Sequence, residues 1–252
     1  MSIPRLYLDQ PLSPGEAVPA TPGQAHYLGS VMRRAAGDAV VLFNGRDGEW
    51  QASIASLRKD RCTLRPEAQT RPQATQPDCR LLVAALKRDA LEWVVEKATE
   101  LGIGLIQPVF TRRSVAGRVN TARLATIAQE AAEQSERLTL PRIAEPLALS
   151  AALDAWDGTP LLAGAERRDA PPLASTAAAL HAAGSLDRWA WLVGPEGGFE
   201  PGELDDLARR PFVSSVALGP RILRAETAAV AGLAVLQALA GDWTENLGRS
   251  IG

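Results

Sequence analysis

From Leu81 to Ala240 the chain alternates short apolar runs with amphipathic stretches, and few folds accommodate that rhythm. Leu81–Leu86 is continuously apolar, as expected of a strand covered on both faces. Asp89 is placed to cap the next helix, where Leu91, Val94, Val95, Ala98 and Leu101 recur at helical spacing before Gly102 ends it. The same reading gives strands at Leu105–Phe110, Leu161–Ala165, Ala190–Val193 and Ser215–Leu218. It gives helices at Thr121–Arg137, Leu173–Ala183, Pro201–Arg209 and Glu226–Ala240. Such alternation specifies an α/β domain, a parallel sheet with helices on both faces.

The first seventy residues read differently. Extended stretches at Arg5–Leu8, Ala39–Phe43, Glu49–Ala55 and Arg61–Arg65 are separated by Pro14-Gly15, Gly37-Asp38 and Asn44-Gly45, as in a small β-barrel. A short helix is expected over His26–Arg34, with Tyr27 and Val31 on one face. Pro66–Pro77 holds three prolines, is mostly polar and shows no periodicity, so it reads as a linker. Two domains follow, residues 1–72 and 73–252.

Composition excludes some functions and leaves others open. No apolar run approaches the ~20 residues of a membrane helix, and the first ten residues lack the apolar core of a signal peptide. Cys62 and Cys79 form no CxxC pair and have no nearby histidine, so no metal site is expected and a cytoplasmic, reducing environment fits. The net charge of −2 argues mildly against nucleic acid, where phosphate neutralisation dominates affinity. Residues 1–73, however, carry nine basic against seven acidic side chains. Arginines outnumber lysines 24 to three, which suits phosphate contact and base stacking but also follows from a GC-rich genome.

Two glycine-bearing loops follow the last two strands. The first runs Gly194-Pro195-Glu196-Gly197-Gly198-Phe199, the second Leu218-Gly219-Pro220-Arg221-Ile222-Leu223-Arg224. Glycine permits close approach of a ligand, and the carboxyl ends of parallel strands are where α/β sheets bind ligands. Neither loop matches a dinucleotide fingerprint or a phosphate-binding loop. Glu226 suits a helix start, whereas Arg221 and Arg224 before it gain nothing from helix stability and read as the lip of a pocket for an anionic or aromatic group.

The segments LVGPEGGFEPGEL and LGPRILRAETAAVAGL resemble the two signature loops of the RsmE-type branch of the SPOUT methyltransferases. Upstream, ALKRDALEWVVEKATELGI, the pair Arg113-Ser114 and EAAEQSERLTLPRI from Glu130 to Ile143 resemble that family's other landmarks, in its order. RLYL and HYLGSVMR resemble its PUA-like domain. The resemblance implies a SPOUT-type parallel sheet with a C-terminal trefoil knot, preceded by a PUA-like β-barrel, in a homodimer. Connection rules alone would give an unknotted sheet. It also implies S-adenosyl-L-methionine as cofactor and N3 of a uridine in 16S ribosomal RNA of the small subunit as target, with no membrane or metal partner.

Site residues follow from the same resemblance. Gly194, Pro195, Gly197, Gly198, Leu218, Gly219, Ile222, Leu223 and Thr227 are expected at the cofactor. Arg113 and Arg224 are expected to position the base, and Glu196 to organise the loop or accept the imide proton. Arg5, His26, Arg33, Arg34, Arg112 and Arg137 are the candidates for RNA contact; Tyr7 and His26 are equally packing residues of a small domain. Three other readings stand beside this one. They are a methyltransferase of this fold acting on another RNA, an RNA-binding assembly factor without activity, and a nucleotide-dependent oxidoreductase, which the missing fingerprint disfavours.

Overall fold

The computed structural model describes residues 3–165 and 169–244. Two compact units emerge, Met1–Thr75 with Gln129–Leu140, and Gln76–Ala128 with Pro141–Gly252. Residues 129–140, expected in the second domain, therefore pack within the first unit.

The first unit is built on β1 (Arg5–Tyr7), β2 (Val18–Ala20), β3 (Ala39–Phe43), β4 (Glu49–Arg58) and β5 (Arg61–Arg71), in sheet order β1-β3-β4-β5-β2. Trp50, Ala52 and Ile54 alternate inward along β4 and join Leu6, Leu28, Leu42 and Leu64 in the core, the period-2 burial of a half-covered sheet. Strand β5 extends six residues into the expected linker, because Pro66, Ala68, Gln69 and Arg71 still find partners on β4. Gly48 permits this pairing, since a Cβ there would lie 2.2 Å from the Arg71 carbonyl oxygen and its φ is +75°.

The N-terminal helix also departs from expectation. Thr21 caps α1 (Pro22–His26), which continues as one wide π-type turn over Tyr27–Val31. The widened turn buries Leu28 and leaves Tyr27 38% and Val31 60% exposed, so those two do not face the core.

The end of helix α3 (Thr121–Gln134) and the turn after it make up residues 129–140. Its last carbonyls lack partners within the helix. Arg5 donates to the Ala132 carbonyl (3.0 Å) and the Arg137 carbonyl, and Arg71 to the Glu136 carbonyl (3.0 Å). Arg5 also pairs with Glu49 at 3.0 Å and lies 3.9 Å over the Phe43 ring, leaving its side chain 8% exposed. Glu133 accepts from the Tyr7 amide and from Gln129 Nε2, each at 3.0 Å, and burial pushes its carboxyl above the ordinary value.

The second unit carries the parallel sheet. Its strands are β6 (Cys79–Ala84), β7 (Leu105–Phe110), β8 (Arg142–Ile143), β9 (Leu147–Ala148), β10 (Leu161–Gly164), β11 (Trp189–Val193) and β12 (Val213–Val216). The order is β12-β10-β11-β6-β7-β8, with β9 also on β7, and every pairing is parallel. Side chains alternate between two cores. Leu81, Val83, Trp189 and Trp191 meet α2 (Arg88–Glu100), α5 (Leu173–Ala182) and α7 (Ala225–Ala240). Leu82, Ala190 and Leu192 meet α4 (Leu149–Asp154) and α6 (Pro201–Arg209). Lys87, not Asp89, is the residue that opens α2; Asp89 lies in the first turn, where its charge still favours the helix. Among the described residues no helix is long and apolar enough to cross a membrane.

Candidate active site

The strand order reverses around β11. The chain steps from β10 to β11, then returns past β10 to form β12, so the carboxyl ends of these three strands enclose a crevice. The cavity there holds about 830 Å³ of empty space, open solvent at its mouth included. Gly164 and Ala165 line it from β10, Val193 to Glu196 with Gly198 and Phe199 from the first loop, and Val216 to Gly219 with Arg221 and Leu223 from the second. Trp191 and, on α7, Ala225 and Ala228 complete the lining with Leu204.

Each loop has a local reason for its glycines. Gly194 lacks a Cβ where one would lie 2.9 Å from the Phe199 ring, so the buried ring packs directly on backbone. Gly198, at φ +69°, closes a turn by donating its N–H to the Pro195 carbonyl at 2.8 Å. Gly219 has φ +106° with open space around it, leaving its peptide accessible.

Of the cofactor candidates, Gly194, Pro195, Gly198, Leu218, Gly219 and Leu223 line this cavity. Gly197, Ile222 and Thr227 sit outside the lining, and Ile222 is 77% exposed. Sequence reasoning missed Gly164, Ala165 and Val216, which carry no motif of their own; only strand ends and apolar spacing could have suggested them.

Glu196 lines the cavity and is exposed. Arg224 is exposed as the N-cap residue of α7, and Glu226 occupies the first helical turn. Arg113 reaches the first loop from the end of β7, donating from Nη1 to the Gly197 carbonyl at 3.0 Å. Its Nε lies 3.6 Å from Glu200 Oε1.

The RNA candidates divide by exposure. His26, Arg33 and Arg112 are exposed, and Arg34 is half-buried. Arg5 is enclosed by Glu49, Phe43 and backbone carbonyls, and Arg137 is 8% exposed, so neither presents an open guanidinium as the RNA-contact expectation requires. Tyr7 packs edge-on against Phe43 at 5.5 Å.

Comparison with known proteins bears on all of this. The family profile of an RNA methyltransferase domain matches residues 74–237, and that of an RNA methyltransferase PUA domain matches 21–67. A ribosomal RNA small subunit methyltransferase E from Rickettsia conorii is 34% identical over 246 residues, covering 97% of this chain and 99% of that protein. A crystal structure of the enzyme of that name from Neisseria gonorrhoeae, bound to S-adenosyl methionine, has a TM-score of 0.84 at 29% identity, covering 96% of this chain and 100% of that one. A Legionella pneumophila methyltransferase in complex with the same cofactor gives 0.81 at 26% identity, covering 94% of this chain and 98% of the other.

Proposed function

This chain belongs to the family of the ribosomal RNA small subunit methyltransferases E, and we propose that it methylates N3 of a uridine in 16S ribosomal RNA with S-adenosylmethionine. The observation that carries the reading is the crevice at the ends of β10, β11 and β12, floored by two glycine-bearing loops.

The residues present fit that cofactor. Leu218, Leu223 and Val193 offer apolar faces for an adenine ring, and the accessible peptides at Gly194 and Gly219 offer hydrogen bonds to its edges. Arg221 supplies a cation for an amino-acid carboxylate. Gly197, Ile222 and Thr227 shape the same loops without lining the cavity. When bound, the cofactor supplies a methyl group activated by its sulfonium.

Uridine N3 must lose its imide proton before it becomes a good nucleophile, and negative charge then spreads onto the ring oxygens. Arg113 and Arg224 stabilise that charge and hold the base. Glu196, which lines the cavity and is exposed, accepts the proton in this reading. Capture of the RNA falls to His26, Arg33 and Arg34 on the first unit and Arg112 on the second. The widened turn adds Tyr27 as a surface on which an unpaired base stacks. Knotting of the chain at the cofactor loops and closure of the first sheet into a barrel belong to the same proposal, supported by family membership. An experimental backbone trace in which α7 threads no loop would remove the knot.

Calorimetry should give heat for S-adenosylmethionine and none comparable for NAD or ATP. Gly219→Val should weaken that binding at least tenfold, because holding a branched residue at φ +106° costs roughly 1–3 kcal/mol. Labelled cofactor incubated with small subunits or their bare RNA should then yield 3-methyluridine on digestion. A ribose-methylated product, or unaltered affinity in Gly219→Val, would overturn the corresponding half of the proposal.

Pairing of two chains is part of the same reading. Helix α7 presents the small side chains of Ala231 and Ala234 beside half-buried Val230, which permits a second helix close by. Light scattering should give about twice 26.8 kDa at micromolar concentration; a monomer mass would refute the dimer.

A further inference from the structure

We propose that Glu203, on the first turn of α6, is the positioning residue that sets Arg113 against the first glycine loop. The proposal rests on the reading of Arg113 as a group that meets the target base.

Strands β7 and β11, which launch the two segments concerned, are not neighbours, because β6 lies between them. No backbone ladder can therefore fix Thr111–Ser114 relative to Gly194–Glu200. One carboxylate does so. Glu203 Oε1 accepts the Arg112 amide at 2.8 Å, and Oε2 accepts the Glu200 amide at 2.9 Å. Capping of α6 accounts for the second contact alone, since a capping box uses a single acceptor for the N-cap amide. The bond to Arg112, 91 residues away in sequence, has no part in helix capping.

What hangs from that bond is rigid. The Thr111 amide donates to Ser114 Oγ at 2.8 Å and the Ser114 amide to the Thr111 carbonyl at 3.2 Å, closing a tight turn around Arg113. Arg113 then spans to the Gly197 carbonyl at 3.0 Å and faces Glu200 Oε1 at 3.6 Å. A second cavity opens beside the clamp, lined by Phe110, Thr111, Arg112, Ser150, Glu200 and Glu203 among others. With the carboxylate lost, the long Arg113 side chain would be the remaining link between the two segments among the described contacts, and the backbone of Arg112 would have open space to move into. The guanidinium would keep its charge and lose its place.

The test is a double-mutant cycle in the full-length protein, reading kcat and KM for RNA methylation, affinity for S-adenosylhomocysteine, and thermal stability. Glu203→Ala should lower kcat on the order of 10²-fold, as expected when a reacting group is misplaced by about an ångström, with KM and product affinity unchanged. Arg113→Ala should show a similar loss, and the double variant no further loss, because both changes remove one interaction. Glu203→Gln keeps one acceptor, preserves shape and should fall between wild type and Glu203→Ala; it serves where the alanine variant folds poorly. Losses that multiply in the double variant, a Glu203→Gln that loses only thermal stability, or an Arg113→Ala of full activity would each overturn the assignment. A wild-type protein that methylates no RNA would instead overturn the functional reading beneath it.

Discussion

Gly232→Val should destabilise the second unit by more than about 3 kcal/mol, and even Gly232→Ala by about 1–3 kcal/mol, the usual range for overpacking a filled core. Helix propensity alone gives the opposite sign, since glycine inside a helix costs about 1 kcal/mol relative to alanine. Geometry decides which effect wins. A Cβ on Gly232 would lie 2.3 Å from Cε2 of Trp191 and 2.5 Å from its Cζ2 and Nε1. The indole is fully buried, and a Cβ at Gly164 would likewise meet its Cη2 at 3.2 Å, so both glycines leave room for this one ring. Its Nε1 also donates to the Ala228 carbonyl at 3.3 Å. Trp191 is fully buried and lines the cavity, so displacing it disturbs fold and site together. Thermal denaturation checks the sign, at roughly 2–4 °C per kcal/mol for a unit of this size. A Gly232→Ala protein that melts at or above wild type would show that α7 shifts freely over the sheet. Trp191→Phe in the Gly232→Ala background should recover part of the loss, a coupling that distant sites would not show.

Gly232 also shows where the sequence stops being informative. Its place in a helix was legible from the spacing of α7, but its partner lies 41 residues away on a strand whose side chains all read as generic core. The two glycine loops were legible because their chemistry is local: consecutive residues, positive φ and a strand end. The arginines were not. Arg5 and Arg33 look alike in sequence. Arg5 closes the end of a helix more than a hundred residues away and is buried by it. Arg33 stays exposed at φ +53° after a widened turn. Exposure of a cation depends on which distant carbonyl or carboxylate reaches it, and no local pattern encodes that. The same holds for residues 129–140, whose helical period was clear while the unit receiving them was set by Arg5, Arg71 and the Tyr7 amide. Strand β5 ran into the proline-rich stretch because β4 offered a bulged partner, which tolerates the missing N–H of Pro66.

Arg224→Ala should depress the methylation rate on the order of 10²–10³-fold at saturating RNA, the usual loss when one donor to developing negative charge is removed. The structure makes this a clean substitution. Arg224 is exposed, makes no side-chain cap bond to α7 and has no ion pair among the described residues, so stability should stay within about 0.5 kcal/mol of wild type. Its backbone carbonyl, which accepts the Ala228 amide at 2.8 Å, is retained in the variant. With fold and cofactor cavity intact, a fall in kcat at constant KM identifies an interaction made in the transition state. Arg33→Ala should behave in the opposite way. It lies in the unit proposed to grip RNA, so its loss should weaken all RNA sequences alike and lower the salt slope by about 0.7–0.9, with kcat unchanged. If Arg224→Ala instead raised KM and spared kcat, that arginine would be gripping phosphate, and stabilisation of the ring would fall to Arg113 alone. Arg113→Ala and the Glu203→Ala variant that misplaces it would then be the more damaging changes, by the same measurement.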